Sequence, residues 1–199
     1  MSVVIVNTQC ANITSVKFAI ERLGYKAYVS NQLHDISSAE RVILPGVGTA
    51  AAAMKNIATL ELATTLQHLQ QPVLGICLGM QLLTEFSEEG NVNCLRLLND
   101  RVKPMKSNNV RLPHMGWNRL TNTVSSPLFE GITQEDYFYF VHSYSVATGD
   151  NTLATCHYGE DFSAAIGKNN IMGVQFHPER SGKSGAKLLQ NFMEMNSLT

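Results

Sequence analysis

The chain has 199 residues, with 15 Lys and Arg against 16 Asp and Glu and a formal charge of −1. That length can bury a sizeable core without cross-links, and so even a charge balance offers no electrostatic grip on nucleic acid or an anionic membrane. No apolar run approaches the roughly 18 residues of a membrane span, and the start, Met1 to Asn7, carries neither a basic leader nor a small-residue cleavage site. Cys10, Cys77, Cys94 and Cys156 are scattered, with no disulfide framework and no CxxC metal spacing. The expectation is a cytoplasmic protein with neither metal nor cofactor.

Residues 3–6 form a short β-branched apolar run, the pattern of a buried parallel strand. Asn12 precedes a helical stretch over 13–23, and Gly24 is placed to end it. Strands are expected at 27–29 and 41–44, the latter broken by Pro45-Gly46-Val47-Gly48. Residues 50–69 are rich in Ala, Leu and Met and predict one or two helices. A strand over 72–76 and a helix over 78–86 follow. Strand alternating with helix argues for βαβ units and an α/β class with a mostly parallel central sheet flanked by helices. The middle of the chain differs. Segments at 101–102, 111–112, 137–146, 152–155, 164–166 and 171–176 predict strands between turn-rich linkers, hence a smaller antiparallel β portion. A closing helix over 185–195 sets Leu188, Leu189, Phe192 and Met193 at helical spacing. Nothing marks a boundary, so residues 1–199 are read as one domain.

Gly75-Ile76-Cys77-Leu78-Gly79 sits where a buried strand should turn abruptly into a helix. A nucleophile between glycines at such a junction is the cysteine counterpart of the nucleophile elbow, and the helix that follows offers free N–H groups and a positive end that favour a thiolate. Such a nucleophile needs a base, and the base an orienting group. His177 and Glu179, two residues apart at the end of an apolar run, are expected on one side of a strand, with Glu179 on one ring nitrogen and the thiol on the other. An oxyanion hole is the third requirement. The N–H of Leu78 is one candidate donor, and the Pro45-Gly46-Val47-Gly48 segment, through Val47, is the other. Gln81 falls one helical turn after Cys77, on a similar face.

Pro45-Gly46-Val47-Gly48, the Gly75 to Gln81 segment and Gly173-Val174-Gln175-Phe176-His177-Pro178-Glu179 together resemble the class I (triad) glutamine amidotransferases. The resemblance implies that Cys77 attacks the side-chain amide of L-glutamine, that His177 moves the proton, and that Gly48, Gln81, Glu89 and Ser143 surround the substrate. Three further segments, at 112–118, 139–144 and 177–181, resemble those of glutaminase subunits of imidazole glycerol phosphate synthases. This implies a (β/α)8-barrel synthase partner that receives the ammonia through a tunnel, with Asn12, Met115 and Trp117 at the interface. His114 is expected to be structural or interfacial, and no chemical step is assigned to His142 or Tyr144. One departure stands out: Asn7 occupies a place, at the end of the first strand, where the family usually has an acid. A glutaminase of another amidotransferase pathway and a Cys-dependent peptidase are the competing readings.

Overall fold

The computed structural model describes residues 2–9 and 12–195; Cys10, expected to be a packing residue, lies outside them. Among the described residues the largest sheet has eight strands, in the order Lys26–Ser30, Ser2–Val6, Arg41–Gly46, Val73–Cys77, Ile171–Val174, Glu160–Lys168, Thr152–Tyr158 and Asn122–Thr123. The first five run parallel, and the last three extend them antiparallel. A hairpin-like pair, His114–Arg119 with Tyr137–His142, and a four-stranded sheet of Tyr144–Val146, Arg101–Pro104, Phe86–Ser87 and Val92–Asn93 complete the β portion.

The central strands are apolar throughout because both faces are covered. Strand alternation sends Val3, Ile5, Ile43, Leu74 and Ile76 to one face and Val4, Val6, Val42, Leu44 and Val73 to the other. The first face is covered by the helices Ile13–Arg22 and Gly182–Glu194, and the second by Ala50–Thr59 and Leu62–Gln67. Leu188, Leu189, Phe192 and Met193 are fully buried, as the helical spacing predicts. Arg41 ties the end of that last helix to the sheet. Its buried guanidinium donates to the carbonyls of Met193 (3.0 Å) and Met195, a cation where the helix leaves acceptors unpaired.

Several expectations are corrected. Pro45-Gly46 does not break its strand, which runs to Gly46. Pairing with Ser2–Val6 stops at Ile43, so Pro45 lies where the strand has one neighbour only, a setting in which strands tolerate proline. The helix after Cys77 is Leu78–Leu82, not a run to residue 86. Thr84 Oγ1 donates to the Gln81 carbonyl at 2.8 Å, and the Glu85 N–H goes instead to Asp100 O at 2.9 Å, which turns the chain out of the helix. Residues 111–112 are not a strand. Asn108 and Asn109 take left-handed φ, Pro113 has no N–H to give a ladder, and the strand begins at His114. The run over 137–146 divides at Ser143 into strands of two different sheets. A short helix, Leu33–Ser38, has no counterpart in the pattern reading.

The closest packing in the sheet region surrounds Gly79. A Cβ built there would lie 1.7 Å from the Leu44 carbonyl oxygen, and one on Gly75 would lie 2.7 Å from Gly79 O. The helix after Cys77 therefore rests directly on backbone. Gly79→Ala is expected to cost about 3 kcal/mol or more by overpacking, while Gly149→Ala, with open space around it, should be neutral or slightly stabilising. Thermal or urea unfolding of the two variants checks the contrast.

Candidate active site

Val73–Cys77 lies between Arg41–Gly46 and Ile171–Val174, near the middle of the parallel sheet. Its carboxyl end is therefore a natural position for a ligand crevice. Cys77 sits at the turn with φ 54° and ψ −113°. Left-handed backbone at a non-glycine residue costs about 1–3 kcal/mol, and here it turns the side chain off the sheet. The sulfur faces a cavity of about 310 Å³ lined by Val47, Gly48, Leu78, Gln81, Glu89, Ser143 and His177, with Pro113, Val141, His142 and Tyr144 completing the wall. The expected oxyanion and substrate residues thus converge on one space. The expected helix field does not survive in full, because a five-residue helix carries little macrodipole. What remains at that end is the N–H of Leu78.

His177 and Glu179 meet, although not by strand alternation. The strand ends at Val174, and His177 caps a 3₁₀ turn, Pro178–Arg180, whose first residue is the proline. That turn folds Glu179 back so that its Oε1 lies 2.8 Å from His177 Nδ1. Both side chains are nearly sealed from solvent, at 8% and 2% exposure. A carboxylate accepts, so Nδ1 carries the proton and Nε2 is left for the sulfur. Burial would strip the ring of its proton, but the Cys77 sulfur and the Glu179 carboxylate outweigh it and lift the His177 pKa from 6.5 to about 10. The turn is anchored through Ser181, whose hydroxyl donates to His177 O at 2.6 Å and accepts from Tyr139 N at 2.9 Å. The His177 N–H donates to Tyr139 O at 2.9 Å.

Gln81 is placed as expected but is already engaged. Its Nε2 donates to Tyr144 O at 3.1 Å and to Gln175 Oε1 at 2.9 Å. Gln175 itself, fully buried with Nε2 3.7 Å from Cys77 Sγ, escaped the sequence reading. Its signal was a polar residue inside an otherwise apolar run. Ser181 and the paired rings of His114 and His142 were missed as well. Glu89 accepts the Ala50 N–H at 2.8 Å with Oε2, which seats its charge at the start of the helix Ala50–Thr59 and on the rim of the cavity. Among the described residues no cluster of His, Cys, Asp or Glu is arranged to hold a metal ion, and no helix is long and apolar enough to cross a membrane.

Trp117, a core residue by default, is 55% exposed, and Met115 is 62% exposed. Both project from the outer side of His114–Arg119, with Trp117 edge-on to Tyr139 at 6.0 Å. Asn12 is exposed at the start of its helix and makes no side-chain cap bond.

The sequence profile of the family described as glutamine amidotransferase class-I matches residues 4–195. The chain belongs to the class I glutamine amidotransferases. Among curated relatives of this amidotransferase, imidazole glycerol phosphate synthase subunit HisH of Pasteurella multocida is 54% identical over 193 residues, covering 97% of this chain and 98% of its own length. HisH of Haemophilus influenzae is 55% identical over 194 residues, covering 98% of both chains. A crystal structure of a glutamine amidotransferase superposes with a TM-score of 0.74 at 18% identity, covering 96% of this chain and 97% of that one. PurLQS from Thermotoga maritima gives 0.70 at 21% identity with the same coverage. At such identities the structural likeness concerns the fold, and it agrees with the α/β expectation of a mostly parallel sheet flanked by helices.

The raised pKa of His177 in this amidotransferase has a sign that can be measured. Protonated His177 stabilises the fold fully below its unfolded value of about 6.5, and the contribution is lost as pH rises through about 10. The stability deficit of His177→Gln relative to the parent protein should therefore be largest near pH 6 and shrink toward pH 10. Urea unfolding across that range reads it.

Proposed function

We propose that the chain is the glutaminase subunit of an imidazole glycerol phosphate synthase. It hydrolyses L-glutamine to glutamate and ammonia and passes the ammonia to a (β/α)8-barrel synthase subunit. There the ammonia meets a phosphoribosyl-formimino aminoimidazole carboxamide nucleotide and yields imidazole glycerol phosphate and an aminoimidazole carboxamide ribotide, in histidine biosynthesis. The observation that carries the glutaminase reading is the single cavity shared by Cys77, His177 and Glu89. The near full-length identity to subunits named HisH carries the choice of acceptor.

The Cys77 thiolate attacks the side-chain amide carbon of glutamine, and the carbonyl electrons move to oxygen. The oxyanion is met by the N–H of Leu78 and by a second donor at Val47. Collapse breaks the C–N bond, and His177 gives its proton to the departing nitrogen, which leaves as ammonia. Neutral His177 then takes a proton from water as that water attacks the thioester. Collapse of the second intermediate releases glutamate and restores the thiolate beside a protonated His177. Glu179 keeps Nδ1–H in place throughout and balances the imidazolium charge, without accepting the proton. Glu89 supplies the charge that complements the substrate ammonium, while Gly48, Gln81 and Ser143 complete the pocket.

Control lies in the oxyanion loop. Gly48 has φ +92° and open space where a Cβ would be, so the Val47–Gly48 peptide can turn without a steric penalty. It completes the hole when the barrel subunit docks, with the exposed Asn12, Met115 and Trp117 as its proposed contacts. A Cys77→Ala variant should lose glutaminase turnover by about 10⁴-fold or more while remaining folded, and Glu179→Gln should lose on the order of 10⁴-fold, the size of the loss for a mis-held histidine. Glutamate release with the barrel subunit and its nucleotide present is the assay. Undiminished turnover in Cys77→Ala rules out the mechanism. Equal turnover with and without the barrel subunit rules out the gate.

A further inference from the structure

Asn118, His114 and His142 form a hydrogen-bonded line running inward from the strand His114–Arg119 to the cavity wall. Asn118 Nδ2 lies 3.3 Å from His114 Nε2, His114 Nδ1 lies 3.0 Å from His142 Nε2, and His142 Nδ1 lies 2.9 Å from Tyr144 O. A carbonyl can only accept, so His142 carries its proton on Nδ1. Its Nε2 is then a lone pair, which requires the proton of His114 on Nδ1. His114 Nε2 in turn accepts from the Asn118 amide. The far end is set as well, because Asn118 Oδ1 accepts the Arg119 N–H at 2.8 Å and leaves Nδ2 facing His114. Each bond dictates the next, and both rings are neutral Nδ1–H tautomers.

Their surroundings agree. Burial lowers the pKa of His114 to about 4 and that of His142 to about 3. His114 is stacked between Phe140, 4.7 Å away, and Tyr158, 4.0 Å away, so its ring cannot turn. The line also continues past Tyr144. The same carbonyl accepts from Gln81, Gln81 donates to Gln175, and the Gln175 amide points at Cys77 Sγ from 3.7 Å.

Resting on the glutaminase reading above, we infer that the His114–His142 pair positions the nucleophile: it holds the Tyr144 carbonyl, which orients Gln81 and, through Gln175, the Cys77 sulfur. With both ring nitrogens engaged, His142 has no free lone pair, so it is neither the base nor the acid. Its effect is on where the sulfur sits when glutamine arrives. An error of about 1 Å in such a placement costs on the order of a hundredfold in rate.

The test compares the full chain, complexed with its barrel subunit, as parent, His142→Leu, His142→Asn and His114→Asn. Asparagine can offer an N–H close to the place of Nδ1 and keep the bond to Tyr144 O, whereas leucine cannot. His142→Leu is expected to lose about ten- to hundredfold in kcat, with KM changed by less than about threefold. His142→Asn should recover most of that loss, and His114→Asn should behave like it. Long-range ¹H–¹⁵N spectra of the parent chain should show both rings as neutral Nδ1–H tautomers. An Nε2–H tautomer at either ring overturns the proposal, as does a folded His142→Asn no faster than a folded His142→Leu. Should the leucine variant melt early, the asparagine variants and the tautomer spectra still decide. If the parent complex releases no glutamate, the glutaminase reading falls, and the spectra alone then judge the hydrogen-bonded line.

Discussion

Backbone rests on backbone where the helix after Cys77 crosses the strand Arg41–Gly46, because Gly79 leaves only 1.7 Å between a would-be Cβ and the Leu44 carbonyl oxygen. Gly75 and Gly46 face the same crossing with 2.7 and 2.9 Å. Three glycines from two strands and a helix thus form one rigid joint. The joint holds Cys77 in a left-handed conformation that an isolated chain would avoid. That strain, about 1–3 kcal/mol, is small beside the burial of Leu78, Met80, Leu82 and Leu83, each worth about 1.5–3 kcal/mol. The packing wins, and the sulfur stays aimed at the cavity. The same joint brings the Val47–Gly48 loop alongside the elbow, so both candidate oxyanion donors share one support.

Histidine is used in two opposite ways within this site. His177, beside a buried carboxylate and a sulfur, is lifted to a pKa of about 10. His114 and His142, equally buried but with no acid on their ring nitrogens, fall to about 4 and 3. Burial opposes the charged ring in all three, and the neighbours alone decide the outcome. One ring is held protonated while the two others form donor–acceptor links. The protonated ring thus sits beside a polar framework that does not itself titrate near neutral pH.

Much of this was legible from residue pattern. Continuous apolar runs marked the parallel strands, and the glycine frame around Cys77 marked the elbow, since both are short-range consequences of packing. His177 and Glu179 were paired correctly for the wrong geometric reason. Pro178 starts a 3₁₀ turn, and turns obey hydrogen bonding and tertiary fit more than hydrophobic period. The early end of the helix at Leu82 depends on a Thr84 hydroxyl and a distant Asp100 carbonyl, which no local pattern reveals. Gln175, Ser181 and the His114–His142 contact are long-range or unremarkable in type, so their importance comes only from where the sheet delivers them. Trp117 was expected at an interface only through the family resemblance, against its usual preference for the interior, and it lies exposed.

The position of Ile171–Val174 in the sheet also has a consequence for how the domain comes into being. Val73–Cys77 acquires its second neighbour from chain made about a hundred residues later, and Gln175 reaches the sulfur across a separation of 98 residues. While a ribosome is still making the middle of the chain, that strand has one open edge, a hazard for wrong pairing. The thiol meanwhile lacks its neighbours His177, Glu179 and Gln175. Contacts of such long range slow the final closure. They also make the cavity around Cys77 a late feature of the nascent protein, since its wall at His177 is supplied by chain made a hundred residues after the sulfur.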